Sequence, residues 1–150
     1  MTARIDYARL QKLIGPTTSA LLSISTSVKE SGLDPVIIEL VKVRASQING
    51  CAFCLNMHVV EAREAGVTDA RLHVLAAWEE SPAFTPRERA ALAWTEALTK
   101  LEHGVSDAVF AQASAEFDEK ELAQLTSAIV TINAWNRIAV AYRFQHPVKS

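Results

Sequence analysis

The stretch "DPVIIELVKVRASQINGCAFCLNMHVVEAREAGV", residues 34–67, decides how the chain is read. Its apolar residues recur at spacings of three and four, the period of a helix and not of a strand. Asp34 is a good N-cap and Pro35 suits the first helical position, so a helix is expected from Pro35 to Ile48. Asn49-Gly50 ends that helix. A second should run from about Cys51 to Ala65, where Gly66 stops it. The stretch is therefore a helical hairpin with both cysteines of the chain just past its turn.

The same reading extends outward. A first helix spans Tyr7 to Glu30 with an interruption near Gly15-Pro16, and a short one follows Thr68. "TPRE" sets Thr85 as N-cap, Pro86 in the first turn and Glu88 to close a capping box, opening a helix to about Leu101. Further helices start at Ser106 and at Asp118, the last running to about Phe144. "GVTDA" at residue 66 and "GVSDA" at residue 104 share a glycine stop and a hydroxyl cap, which is common capping chemistry and not a duplicated unit. About seven helices and no sheet define an all-α helical bundle, a single domain over residues 1–150.

Composition narrows the function classes. Apolar residues make up 49% and charged residues 21% of the 150, an ordinary globular balance. A net charge of −2 without a polybasic run gives no electrostatic case for nucleic acid or an anionic membrane. No signal-peptide core or membrane-length apolar run is visible, so a cytoplasmic protein is expected. In that compartment a C-x-x-C is more often catalytic or metal-binding than structural.

Cys51 stands at a helix start, where unpaired N–H groups and the helix dipole favour an anion such as a thiolate. Cys54 and His58, three and then four residues on, share its helix face. Glu39 interrupts the apolar run "VIIELVKV" of the preceding helix. At 1.5 Å per residue, Glu39 lies roughly 15 Å from the turn, His58 about 10 Å and Cys54 about 5 Å. Glu39 can then orient His58, and His58 can act as base toward Cys54.

Blander readings compete. The cysteines could be small buried hydrophobes, His58 an ordinary half-buried histidine and Glu39 a solvated residue at a helix edge. Zinc would find two Cys and one His, and His73, His103 and His146 lack convincing spacing for a fourth ligand; no metal or cofactor is expected. A c-type haem needs a histidine directly after the second cysteine, where Leu55 stands. A thioredoxin fold needs strands. A dithiol on a helical scaffold remains. Trp78, Trp94 and Trp135 are expected in the core or an interface. Asn133, Asn136 and Arg137, in "NAWNR", are expected to make subunit contacts, with the lining of a pocket as the alternative.

The spacing Glu39, Cys51, Cys54, His58 resembles the alkylhydroperoxidase AhpD-like branch of the carboxymuconolactone decarboxylase family. "FTPRERAALAWTEALT" and "FDEKELAQLTSAIVTINAWNRIAVAYR" are similar to corresponding stretches of its small members, and the resemblance covers most of residues 34 to 144. It implies an all-helical subunit assembled as a homo-trimer or homo-hexamer, and a peroxidase. Cys54 would attack a small hydroperoxide and become a sulfenic acid, and Cys51 would resolve it as a disulfide. His58 and Glu39 would relay protons, and a dithiol, often on a lipoyl-bearing protein, would restore the thiols. One departure stands out: the best-studied type has a histidine beside the attacking cysteine, where this chain has Phe53. The competing expectation is a redox-sensing or small-molecule-binding oligomer without turnover.

Overall fold

A computed structural model describes residues 1–147. Eight α-helices follow one another: α1 (Tyr7–Leu13), α2 (Gly15–Glu30), α3 (Pro35–Ile48), α4 (Ala52–Glu64), α5 (Asp69–Val74), α6 (Pro86–Lys100), α7 (Asp107–Glu116) and α8 (Glu119–Tyr142). A 3-10 segment, Leu75–Glu80, follows α5. Among the described residues there is no sheet, only an isolated bridge between Glu102 and Gly104.

Local chemistry sets most boundaries as expected. Asp34 accepts from the Val36 amide and Pro35 opens α3. Thr85 with Glu88, and Asp118 with Glu121, form complete capping boxes at α6 and α8. Ser106 caps α7 by accepting from the Val109 amide. Thr68 occupies the corresponding position before α5 but makes no side-chain cap bond, so the two "GV-hydroxyl-DA" stretches do not cap alike. The break near Gly15-Pro16 is complete. Ile14 leaves the helical region at φ −130°, and Pro16 sits in the first turn of α2, where its ring and missing N–H would interrupt a continuous helix. Two helices therefore stand where one interrupted helix was expected, which accounts for eight.

The helix α3 is the central element. It packs against α4, α6 and α8, and Ile37 to Val43 are buried without interruption. An enclosed helix buries its polar positions too, which brings Glu39 and Lys42 inside. Ile37, Val41, Trp94, Leu125 and Ile129 belong to one apolar cluster. On another side Leu40, Val43, Ala62, Leu75 and Trp78 form a second. Leu10, Ala45, Ile132, Ala139 and Phe144 form a third, which contains both cysteines. At roughly 1.5–3 kcal/mol for each fully buried large apolar side chain, these clusters are what hold α3 in place.

Two expectations are corrected here. Asn136, expected at a subunit contact, is buried within its own chain, and Asn133 is bonded there too. Asn136 is fully buried, its amide donating to Ser46 Oγ at 3.0 Å, while Asn49 Nδ2 donates to Asn136 Oδ1 at 2.9 Å and Asn133 Oδ1 at 3.0 Å. Asn133 also donates to Thr99 Oγ1 at 3.0 Å. The exposed Arg137 donates back to Asn133. These amides tie the α3–α4 turn to α6 and α8 inside one chain, because a buried amide must find partners. The end of α8 falls at Tyr142, before Phe144, because Arg143 takes a left-handed φ of 55°.

Candidate active site: a dithiol beside a buried ion-pair cluster

The turn between α3 and α4 builds the site. Gly50 adopts φ +65°, a conformation that L side chains rarely take. The chain then reverses and Cys51 becomes the N-cap of α4, its Sγ accepting from the Cys54 amide at 3.2 Å. Cys51 and Cys54 are joined as a disulfide with a Cα–Cα distance of 5.3 Å, inside the ordinary range. Both are almost wholly buried. The C-x-x-C thus places two sulfurs at a helix start, where a thiolate is favoured once the bond is reduced.

His58 lies one turn further along α4 and Glu39 faces it from α3. His58 Nδ1 stands 2.9 Å from Glu39 Oε2, as the hairpin arithmetic anticipates. Two further groups complete the cluster. Lys42 Nζ donates to Glu39 Oε1 at 2.9 Å, and Glu61 Oε2 approaches His58 Nδ1 at 3.5 Å. Glu39, Lys42 and His58 are buried, whereas the Glu61 side chain is 32% exposed and meets Lys29 Nζ at 3.9 Å. Neither carboxylate engages His58 Nε2.

Burial disfavours a charge on His58, but the hydrogen bonds with Glu39 and Glu61 outweigh it, and its pKa is raised above the ordinary 6.5. The hydrogen bond with His58, helped by the charges of Lys29 and Lys42, pulls Glu61 down to about 2 against its partial burial. The imidazole therefore tends to its charged form beside the disulfide. Ligand atoms of Glu39, His58 and Glu61 lie within 4.8 Å of one another, close enough to share a cation. The cations that these carboxylates engage are the Lys42 ammonium, the His58 imidazolium and, at the exposed side of Glu61, the Lys29 ammonium.

A cavity of about 350 Å³ opens onto this cluster. Cys54, His58, Lys42 and Glu61 line it, and Cys51 does not. Its remaining wall is largely apolar, with Tyr7, Leu22, Phe53, Met57, Trp135 and Phe144. Phe53 stacks edge-on against Phe144 with ring centroids 5.5 Å apart. Trp78 and Trp94 are buried in the core as expected, whereas Trp135 belongs to the cavity. His73, His103 and His146 are not among its lining residues.

The structure brings together all four residues that the sequence singles out: Cys51, Cys54, His58 and Glu39. It adds Lys42, Glu61, Lys29 and the Asn49–Asn136 tie. A signal for two of them is present in the spacing. Lys42 is one turn beyond Glu39, and Glu61 one turn beyond His58, so each lies on the face of a residue already chosen.

A disulfide-forming C-x-x-C with a carboxylate-held imidazole, on a helical bundle, defines a thiol-based oxidoreductase with a proton relay, peroxidase-like in kind. A model of the carboxymuconolactone decarboxylase family matches residues 16–97, and the chain belongs to that family, close to its AhpD-like antioxidant proteins. The uncharacterized protein YdfG of Bacillus subtilis is 37% identical over 142 residues, 94% of this chain and 95% of its own. A crystal structure from Agrobacterium tumefaciens, of a protein of unknown function proposed to be the antioxidant defence protein AhpD, superposes with a TM-score of 0.92. It is 42% identical and covers 99% of this chain and 100% of that one. The alkylhydroperoxidase AhpD core of a peroxidase-related protein from Ralstonia eutropha shares the fold at TM-score 0.80 and 19% identity, over 93% of this chain and 75% of that one.

Proposed function

We propose that the protein reduces organic hydroperoxides, with Cys54 as attacking thiolate, Cys51 as resolving thiol, and His58 and Glu39 as the proton relay. The observation that carries this reading is the position of Cys54, one sulfur of the redox pair, in the wall of a largely apolar cavity, beside an imidazole held by a carboxylate. Attack by Cys54 is supported by its place in the cavity wall, from which Cys51 is absent.

In the reduced protein the Cys54 thiolate attacks the terminal oxygen of RO–OH. The O–O bond breaks, Cys54 becomes a sulfenic acid, and RO⁻ takes the His58 proton and leaves as ROH. The Cys51 thiol then attacks the sulfenic sulfur, and its proton leaves with the hydroxyl as water. An external dithiol gives its two hydrogens to the disulfide and is itself oxidised. Glu39 holds Nδ1, so the imidazole presents a fixed edge in each step.

Phe53, standing where the resemblance leads to the expectation of a histidine, adds to the apolar wall, which favours a hydroperoxide with a bulky apolar R group over hydrogen peroxide. A dithiol restored in every cycle suits a reducing compartment such as the cytoplasm. Among the described residues, no helix is long and apolar enough to cross a membrane. Assembly as a homo-trimer or homo-hexamer is supported by the family likeness and by exposed apolar side chains on α2, α4 and α8, among them Leu22, Val60, Val130 and Val140. The reductant class is a small or lipoyl-type dithiol.

The test is peroxide consumption driven by dihydrolipoamide. Wild type should turn over many equivalents, more efficiently with cumene hydroperoxide than with hydrogen peroxide. Cys54→Ser should lose at least about 99% of the rate, as expected when a covalent nucleophile is removed. Cys51→Ser should consume about one equivalent and stall as a sulfenic acid. Full turnover by Cys54→Ser would overturn the assignment. Oxidation of wild type once, without turnover, would favour a redox sensor.

A further inference from the structure

Lys42 is a buried lysine that the relay just described does not use. Its side chain is 8% exposed, yet it lines the cavity that Cys54 and His58 line. Its one hydrogen bond among the described residues goes to Glu39 Oε1, on the carboxylate whose other oxygen holds His58. Burying an ammonium is costly, so a lysine here implies a charge to be met.

The surrounding charges indicate which one. Glu39 and Glu61 both face Nδ1 of one imidazole, and the other charged groups of the cluster are Lys42 on α3 and Lys29 on α2. Lys29 is 58% exposed and stands 3.9 Å from Glu61, so solvent screens it. Without Lys42, two carboxylates would face one imidazolium. The surplus negative charge would hold the proton on His58 and oppose a thiolate at Cys54. With Lys42, two cations, its ammonium and the imidazolium, stand against the buried Glu39 and the half-buried Glu61.

We propose that Lys42 is a positioning residue of the dithiol centre. Its ammonium fixes the orientation of Glu39 and offsets one of the two carboxylates that crowd His58, leaving the imidazole free to exchange a proton and Cys54 free to ionise. The Lys42 charge does act to lower the proton affinity of His58, against the two carboxylates. This proposal rests on the redox reading of the dithiol and not on peroxide as substrate.

Thiol alkylation tests it without peroxide. The reduced protein is treated with iodoacetamide across pH, and reaction at Cys54 is followed by mass spectrometry. Lys42→Met should move the alkylation profile upward by about one pH unit, so that the rate near neutrality falls about tenfold. Lys42→Arg, which keeps the charge, should stay close to wild type. Lys42→Gln keeps a donor for Glu39 without the charge; it should shift like Lys42→Met, and it is read alone if the methionine variant does not fold. The idea is overturned if the profiles of the uncharged variants superpose on wild type, or if Lys42→Arg shifts as far as they do. Peroxide consumption, followed alongside, tests the peroxidase reading separately.

Discussion

His58 is the residue on which the site turns, because one ring nitrogen meets two carboxylates. Its contribution to stability depends on pH with a definite sign. The raised pKa of His58 means that its pairing stabilises the fold fully below the ordinary 6.5 and is lost as pH rises through the raised value. The lowered pKa of Glu61 means that its part is present above the ordinary 4.5 and is lost as pH falls toward about 2. The pair therefore supports the oxidised protein most between those ordinary values. Thermal unfolding across pH should show wild type exceeding His58→Gln by the widest margin near pH 5 to 6, narrowing on both sides. A margin that does not change with pH would show that the ion pairs contribute nothing. At this scale the sequence was informative where chemistry is local. Cys51, Cys54 and His58 share one helix face by spacing alone, and Glu39 faces them because a hairpin turn fixes its distance. Lys42 was not singled out because a lysine one turn from a glutamate usually forms a solvated surface pair. Only the burial of α3 on all sides gives it another meaning.

Helix boundaries were legible for the same reason: caps, prolines and glycines act within a few residues. The 3-10 segment Leu75–Glu80 was not. Its sequence, "LAAWEE", is ordinary helix-forming material, and what reshapes it is distant in the chain. The Trp78 indole donates to Glu96 at 2.8 Å, and Arg89 donates to the carbonyls of Trp78, Glu79 and Ser81. The partners of the α8 amides were not legible for a related reason, since a polar residue within a helix reads alike whether it meets another chain or its own. Asn136 instead secures the turn that presents Cys51, through Asn49 and Ser46. Asn136→Ala should cost about 1–3 kcal/mol in chemical denaturation, the usual penalty for leaving buried partners unpaired. It should also slow disulfide re-formation after reduction. A variant as stable as wild type would show that Asn49 finds other partners.

For the whole molecule, three apolar clusters surround one buried helix, and the dithiol occupies the cluster nearest the cavity. The active groups thus sit on the buried helix α3 and on α4, which packs against it, and not on long loops, which suits a site that must keep its geometry through repeated oxidation and reduction. The proposed assembly would cover the exposed apolar residues of α2, α4 and α8. Light scattering should give a mass of three or six chains, and a purely monomeric protein at micromolar concentration would exclude it. The all-helical class was readable from periodicity throughout; which apolar residues stay exposed was not, because an exposed apolar residue and a buried one look alike in a sequence.

The sulfur of Cys51 is both a redox atom and the cap of α4. A Cys51 thiolate accepts this hydrogen bond more strongly than the disulfide sulfur does, so reduction followed by ionisation of Cys51 tightens the first turn of the helix and oxidation loosens it. Electron transfer and backbone order are therefore linked quantities, and linkage is reciprocal. Any ligand or neighbouring surface that orders the first turn of α4 makes the disulfide easier to reduce, and anything that frays that turn makes it harder, without touching either sulfur.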